Sequence, residues 1–123
     1  MSGRRTLLYF NRYKTDSMRE FEAVELKRYL DQSEQTPLLL DVRQPWEYDI
    51  CRLEQARLLP MGDLPAKMDE LDKEQEIVVI CHHGIRSRQV GRFLEASGFK
   101  NIINLSTGMA GWAAQVDRTM ATY

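Results

Sequence analysis

Four consecutive apolar, β-branched residues, Ile77–Ile80, are followed immediately by a cysteine, a glycine-containing loop and a helical pattern. A continuous apolar run of this kind predicts a strand buried on both faces, which is typical of a parallel sheet covered by helices. Cys81 comes directly after the run, and open parallel sheets place their ligand sites at the carboxyl ends of their strands. The feature therefore predicts an α/β fold with Cys81 at the edge of the sheet where ligands bind.

The segment that follows Cys81 predicts a tight loop and a helix. Gly84 permits a backbone conformation or a close approach that a side chain would block, and Ser87 is expected to cap a helix over residues 87–97. The inward-facing stripe of this helix is expected to consist of Val90, Phe93 and Leu94. A helix N-terminus and a nearby arginine, Arg86, both favour an ionised thiol near neutral pH. The loop thus predicts a nucleophilic sulfur that acts on an anion.

Along the rest of the chain, short apolar runs alternate with helical patterns, which predicts a central five-stranded parallel sheet flanked by helices on both faces. The predicted strands cover residues 18–21, 38–42, 57–59, 77–80 and 102–105. The predicted helices cover residues 23–31, 45–49, 63–71, 87–97 and 108–116. At the first strand there is an alternative, because Ser17 and Glu20 form a capping-box pattern that would start a helix at Met18.

Length and charge restrict the class of protein. The chain has 123 residues, of which 43% are hydrophobic, so it can bury one core and no second. With 17 basic and 18 acidic residues its net charge is -1, and neither a nucleic acid nor a membrane is expected as a partner. The apolar stretch at residues 7–10 is too short for a signal peptide. Two cysteines fit a reducing compartment, so a cytoplasmic location is expected.

The string Cys81-His82-His83-Gly84-Ile85-Arg86-Ser87 resembles the active-site loop of the rhodanese-like sulfurtransferases, whose pattern is close to C-x-x-G-x-[RT]-[ST]. Residues 39–48, 56–60 and 105–112 resemble further motifs of that family, in the family's order. The resemblance implies a rhodanese-like fold and a strand, not a helix, at residues 18–21. It covers about residues 18–123, so we expect a domain over residues 17–123 that follows an N-terminal extension of residues 1–16.

One segment departs from the family pattern. Residues 51–56 read CRLEQA, whereas the corresponding motif of the family usually reads G-H-I-x-G-A. The shape of that loop is therefore open, while the loop after Cys81 keeps its pattern.

The resemblance implies a sulfurtransferase that carries sulfane sulfur as a persulfide on Cys81. Its donor would be thiosulfate or a persulfide, and its acceptor a thiol, cyanide or a protein. The same reaction follows from the residues, because fixed backbone N–H groups stabilise the charge that moves across the sulfur atom. The guanidinium of Arg86 suits an oxyanion of the donor. The expected substrate-binding residues are His82, His83, Gly84, Ile85, Arg86 and Ser87.

Three charged residues before the loop are expected to support it. Asp41 and Arg43 are interpreted as structural, with Arg43 pairing with Glu47 across the turn. Cys51 is either a bystander or a resolving thiol that forms a disulfide with a persulfidated or oxidised Cys81.

No cofactor and no metal are expected. Consecutive residues such as Cys81, His82 and His83 rarely surround one tetrahedral ion, so the two histidines are expected at the mouth of the pocket. Trp46 and Trp112 are expected to pack in the core.

Two other functions remain open at this point. Cysteine phosphatases have five residues between cysteine and arginine, and a rhodanese-like group of them shares the fold. Here only residues 82–85 separate Cys81 from Arg86, and the loop has no Asp that could serve as general acid. The other alternative is a non-catalytic interaction module, although inactive members of the family usually lack the cysteine.

Overall fold

A parallel five-stranded sheet forms the centre of the computed structural model, which describes residues 17–123. The strands are β1 (Arg19–Phe21), β2 (Leu38–Asp41), β3 (Arg57–Leu58), β4 (Ile77–Ile80) and β5 (Ile102–Leu105). The helices are α1 (Ala23–Gln32), α2 (Pro45–Ile50), α3 (Leu64–Lys67), α4 (Ile85–Ala96) and α5 (Gly108–Gln115). Short 3-10 turns at Met61–Asp63 and Met68–Glu70 flank α3.

The strand order is β1-β5-β4-β2-β3, and every neighbouring pair is parallel. The α/β fold with a five-stranded parallel sheet is therefore confirmed. β4 lies at the centre, and all four of its residues are buried, as its apolar run predicts. Cys81 follows this strand and thus lies at the carboxyl edge of the sheet.

Two hydrophobic cores cover the two faces of the sheet, since alternate residues of β4 contribute to different cores. The first core contains Val78 and Ile80 of β4 together with Leu26 of α1 and Trp112 of α5. The second core contains Ile77 and Val79 of β4 and the following Cys81. These residues pack against Leu64 of α3 and against Val90 and Leu94 of α4. Helices thus lie on both faces, as predicted.

Residues 19–21 form a strand, so the alternative of a helix that starts at Met18 is wrong. β1 pairs with β5 in parallel register, and α1 begins at Ala23. Its capping box is formed by Glu22 and Glu25 and not by the pattern that starts at Ser17. The predicted extension over residues 1–16 lies outside the described residues.

The predicted helix over residues 63–71 is wrong as a single element. Only Leu64–Lys67 is α-helical, and the backbone at Lys67, with φ −113° and ψ 0°, departs from helical values and interrupts the helix. Within the described residues, no helix is long and apolar enough to cross a membrane.

The helix after the loop that begins at Cys81 starts two residues earlier than predicted. Gly84, with φ 88°, precedes it as the N-cap, so Ser87 lies inside the first turn and is not the cap. The buried stripe of α4 consists of Ser87, Val90, Gly91 and Leu94. Phe93 lies beside this stripe and is 42% exposed, so the prediction that it faces inward is wrong.

Candidate active site

The backbone around Cys81 is held by the first turn of α5. The Met109 N–H donates to the Cys81 carbonyl oxygen at 2.8 Å, and the Ala110 N–H donates to the His82 carbonyl oxygen at 3.0 Å. These two hydrogen bonds join the end of β4 to the helix that follows β5. The position of the cysteine is therefore set by rigid elements on both sides of the loop.

Three polar groups surround the sulfur of Cys81. The N–H groups of Gly84 and Ser87 donate to Sγ at 3.0 Å and 3.3 Å, and the Ser87 hydroxyl oxygen lies 3.2 Å from it. The two amides belong to the N-cap and first turn of α4, where the helix dipole is positive. The structure thus brings two of the expected loop amides to the sulfur. Cys81 is fully buried.

Two glycines allow the loop to lie against the connection between β5 and α5. At Gly84 (φ 88°), an added Cβ would overlap the carbonyl of Ser106. At Gly108 (φ 62°), it would overlap the carbonyl of His82. Both positions combine left-handed backbone with a close contact to main chain, which no other residue type satisfies.

The guanidinium of Arg86 is held by Glu47. Its Nη1 and Nη2 donate to the two carboxylate oxygens of Glu47 at 2.7 Å and 2.8 Å. The side chain of Glu47 is 4% exposed and that of Arg86 36%, and their ion pair joins α2 to the start of α4. The hydrogen bonds from Arg86 are the main reason that the pKa of Glu47 is lowered to about 2.

The prediction that Arg43 pairs with Glu47 is wrong. Arg43 instead forms a fully buried ion pair with Asp41, in which Nε and Nη2 donate to the carboxylate at 2.7–3.1 Å. It reaches Glu47 only through that residue's backbone carbonyl, at 3.3 Å from Nη1. The carboxylate of Glu47 is directed at Arg86, which comes from a distant part of the chain. Burial, the largest single effect, opposes the charge of Arg43, but the hydrogen bonds to Asp41 and Tyr123 and the charge of Asp41 together outweigh it and raise the pKa of Arg43.

Arg43 also holds the segment after α2. Its Nη2 donates to the Cys51 carbonyl oxygen at 2.6 Å, and its Nη1 lies 3.8 Å from the Cys51 sulfur. The structural role expected for Asp41 and Arg43 therefore has a physical basis, because their ion pair organises the chain between β2 and the end of α2.

A group of aromatic rings lies beside the loop. The Tyr123 ring stacks on His82 with centroids 4.3 Å apart, and it meets Trp46 edge-on at 5.2 Å. Trp46 is 57% exposed, so the prediction that it packs in the core is wrong, whereas Trp112 is 8% exposed and belongs to the core as predicted. The sequence contained no signal for Tyr123, which lies far from the loop along the chain.

The two histidines face a cavity of about 310 Å³ on the α5 side of the loop. Its lining residues are Cys51, His82, His83, Met109, Ala110, Thr122 and Tyr123. Burial, followed by the neighbouring His83, lowers the pKa of His82, so this ring is predominantly neutral at pH 7. Among the described residues, no group of three or more His, Cys, Asp or Glu side chains is arranged to hold a metal ion.

Cys51 and Cys81 are both free thiols, and they belong to the cores on opposite faces of the sheet. Cys51 lines the cavity that the histidines face, whereas the sulfur of Cys81 is directed at the start of α4. The two sulfurs are not in contact in this arrangement. The arrangement therefore does not support the interpretation of Cys51 as a resolving thiol.

Asn104 is a site residue that the sequence analysis missed. It is fully buried on β5, accepts the Ser87 hydroxyl hydrogen at 2.5 Å, and donates to the Gly84 carbonyl oxygen at 3.2 Å. A polar residue within an otherwise apolar buried strand was the signal that could have identified it. Of the remaining expected substrate-binding residues, Ile85 is 63% exposed.

A family model described as a rhodanese-like domain matches residues 22–115. The chain belongs to the rhodanese-like family. The domain is similar to the Bacillus subtilis protein YtwF, at 37% identity over 80% of this chain and 93% of the relative. It is also similar to a sulfurtransferase of Allochromatium vinosum, at 33% identity over 76% of this chain and 87% of the relative.

Solved structures agree with this assignment. A rhodanese-like domain protein from Staphylococcus aureus superposes with a TM-score of 0.71 at 30% identity, covering 77% of this chain and 91% of that one. The predicted rhodanese-like fold is therefore confirmed.

Proposed function

We propose that this rhodanese-like domain is a sulfurtransferase that carries sulfane sulfur as a persulfide on Cys81. The observation that carries the proposal is the pair of N–H groups, from Gly84 and Ser87, that donate to the sulfur at 3.0 Å and 3.3 Å. Fixed amide dipoles at a helix N-terminus favour a thiolate and stabilise charge on a sulfur as it develops. The likeness to a sulfurtransferase over most of both chains supports the same reaction class.

In the first half-reaction, the Cys81 thiolate attacks the outer sulfur of thiosulfate or of a persulfide donor. A new S–S bond forms to Cys81 and the donor's own bond to that sulfur breaks. With thiosulfate, sulfite leaves with the electron pair of the broken bond. Because the attacking species is the thiolate and sulfite is a good leaving group, the sulfur-transfer step itself moves no proton.

In the second half-reaction, a nucleophilic acceptor attacks the outer sulfur of the Cys81 persulfide. The acceptor is cyanide, a thiol or a protein sulfur acceptor. The new bond forms to the acceptor, and the Cys81 thiolate leaves with the electron pair, which regenerates the resting enzyme. The two free cysteines fit a reducing compartment, and we place the reaction in the cytoplasm.

The loop residues 82–87 are proposed to bind the donor. Gly84 and Ser87 would bind it through their backbone N–H groups. Arg86 would bind it through the guanidinium N–H groups that its two bonds to Glu47 do not use. His82 and His83 line the adjoining cavity, and Ile85 presents an exposed side chain next to them in the loop. Asp41, Arg43 and Glu47 support this arrangement through their ion pairs.

Phosphatase chemistry has less support. A phosphatase needs an acid to protonate the leaving alcohol. The carboxylate bonded to Arg86 belongs to Glu47, whose pKa is about 2, so it holds no proton to donate at neutral pH.

Steady-state assays with two cysteine variants test the proposal. Wild-type protein and Cys51→Ser are expected to transfer sulfur from thiosulfate to cyanide, whereas Cys81→Ser is expected to be inactive. The same three proteins are then offered an aryl phosphate. Hydrolysis that depends on Cys81, without sulfur transfer, would replace the proposal with phosphatase activity. Sulfur transfer that persists in Cys81→Ser would exclude Cys81 as the nucleophile.

A further inference from the structure

Tyr123 connects the two ion pairs beside the catalytic loop. Its phenol O–H donates to Glu47 Oε2 at 2.7 Å, and its oxygen accepts a hydrogen bond from Arg43 Nη1 at 3.1 Å. The residue lies outside residues 22–115, the segment that matches the family. A role for Tyr123 is therefore not implied by membership of the family.

The hydrogen bond from Tyr123 completes the coordination of the Glu47 carboxylate. Oε1 accepts the Gln44 N–H at 3.0 Å and Arg86 Nη1 at 2.7 Å, while Oε2 accepts Arg86 Nη2 at 2.8 Å and the Tyr123 hydroxyl. An ionised carboxylate has about four acceptor positions, so all of them are used. Gln44 and Tyr123 bind opposite oxygens, and together they fix the plane of the carboxylate.

The plane of the carboxylate determines where Arg86 lies. The guanidinium is planar, and its two bonds to Glu47 make it coplanar with the carboxylate. The Arg86 side chain is 36% exposed, so its position depends on the bonds to Glu47 more than a fully buried side chain would. Rotation of the Glu47 carboxylate would therefore carry the guanidinium with it.

We propose that Tyr123 is a positioning residue that fixes Arg86, through Glu47, for the oxyanion end of an anionic sulfur donor. The inference rests on the proposed sulfurtransferase function. Binding an anion to a guanidinium that is already fixed costs less conformational entropy than binding it to a mobile one. Tyr123 thus acts on donor binding, and the transferred sulfur does not pass through it.

The aromatic contacts of Tyr123 allow a selective test. Tyr123→Phe keeps the ring that stacks on His82 and meets Trp46, and it removes only the hydroxyl. Tyr29 offers a matched control, because its hydroxyl donates to Glu76 Oε2 at 2.5 Å and Arg19 pairs with the same oxygen at 2.7 Å. Glu76 precedes β4, at the end of the sheet opposite to Cys81. Tyr29→Phe therefore removes a similar hydrogen bond away from the loop.

The first measurement compares KM and kcat for thiosulfate. Tyr123→Phe removes the hydroxyl's bond to Glu47 and its bond from Arg43, so KM is expected to rise about three- to tenfold, with kcat at saturation changed less than about twofold. A low-molecular-weight persulfide without a sulfonate should show no such rise. Tyr29→Phe should behave as the wild type. An unchanged or lower KM in Tyr123→Phe, or an equal rise in Tyr29→Phe, overturns the proposal.

The second measurement needs no turnover. The order parameter of the Arg86 Nε–H group, from NMR relaxation, is expected to fall in Tyr123→Phe and to stay at the wild-type value in Tyr29→Phe. An unchanged order parameter in Tyr123→Phe refutes the positioning role whatever the kinetics show. If the order parameter falls but the wild type transfers no sulfur from any donor, the proposed function fails while the anchoring of Arg86 stands.

Discussion

The side-chain oxygen of Asn104 accepts the hydroxyl hydrogen of Ser87 at 2.5 Å, next to the sulfur of Cys81. The amide of Asn104 has one orientation, because its nitrogen donates to the Gly84 carbonyl oxygen at 3.2 Å and to Glu20 at 2.8 Å. A hydroxyl has one hydrogen, so while Ser87 donates it to Asn104 it has none to give the Cys81 sulfur, whose hydrogen bonds come from the Gly84 and Ser87 amides. The network therefore connects the proposed nucleophile to β5.

Removal of the Ser87 hydroxyl is expected to destabilise the fold. Ser87→Ala leaves the buried Asn104 oxygen without its donor, which costs about 1–3 kcal/mol of unfolding free energy. Ser97→Ala is the control, because the Ser97 hydroxyl makes only an exposed bond to the Phe93 carbonyl, and it should change stability by less than about 0.5 kcal/mol. Urea denaturation measures the unfolding free energy of both variants. Equal losses in the two variants would contradict the network.

Gly84 is expected to tolerate no side chain. Gly84→Ala combines left-handed backbone with a contact to the Ser106 carbonyl, so a loss of at least about 2 kcal/mol in stability and most of the activity is expected. Gly62 has open space around it, and Gly62→Ala should leave both quantities near their wild-type values. Thermal denaturation and the thiosulfate assay provide the comparison. A fully active Gly84→Ala protein would show that the loop does not require this backbone conformation.

Removing one partner of the buried Asp41–Arg43 ion pair is expected to destabilise the fold strongly. Arg43→Met leaves an unpaired carboxylate at a fully buried position, and the expected loss of unfolding free energy is about 3–5 kcal/mol. Arg43→Lys should recover only part of it, because a single ammonium replaces the separate Nε, Nη1 and Nη2 groups that bond Asp41, Tyr123 and the Cys51 carbonyl. The double variant Asp41→Leu/Arg43→Met removes both charges and should be more stable than Arg43→Met. Denaturant titrations that rank the double variant lowest would argue against this account.

The Glu47–Arg86 pair predicts a specific dependence of stability on pH. The pKa of Glu47 in the folded protein is about 2, which is below its ordinary value of 4.5. The ionised carboxylate therefore stabilises the fold at pH values above about 4.5. That contribution, on the order of 3 kcal/mol, is lost as the pH falls from about 5 to about 2. The stability difference between wild type and Glu47→Gln should therefore shrink over this range.

A surface carboxylate provides the control for that pH series. Glu70 pairs with Arg57 at 3.0 Å, but its side chain is 58% exposed. The difference between wild type and Glu70→Gln should stay small at every pH, because exposed ion pairs contribute little. A Glu47→Gln difference that stays constant from pH 7 to pH 2 would contradict the pairing with Arg86.

The fold could be predicted from the sequence because the composition of the central strand indicates that it is buried. All four residues of β4 are apolar, and a strand buried on both faces cannot contain a polar residue without a partner. Cys81 and Gly84 were identified by the same local reasoning, since a strand end, a thiol and a glycine loop are adjacent in sequence.

The contacts that complete the site could not be predicted in this way. Arg43 and Glu47 have the spacing of a local ion pair, but Glu47 binds Arg86, and long-range folding brings these two residues together. The hydroxyl of Ser87 suggested a helix cap, but a left-handed glycine ends the loop instead, so that hydroxyl faces Cys81. Nothing near Tyr123 in the sequence indicates that its side chain would reach Glu47.

Intact-protein mass spectrometry after thiosulfate treatment tests the central claim most directly. The wild-type protein and Cys51→Ser are expected to gain the mass of one sulfur atom and to lose it again with cyanide or dithiothreitol, whereas Cys81→Ser gains nothing. A sulfur atom that still adds to Cys81→Ser, or a wild-type protein that adds none from thiosulfate or from a persulfide donor, would contradict a Cys81 persulfide.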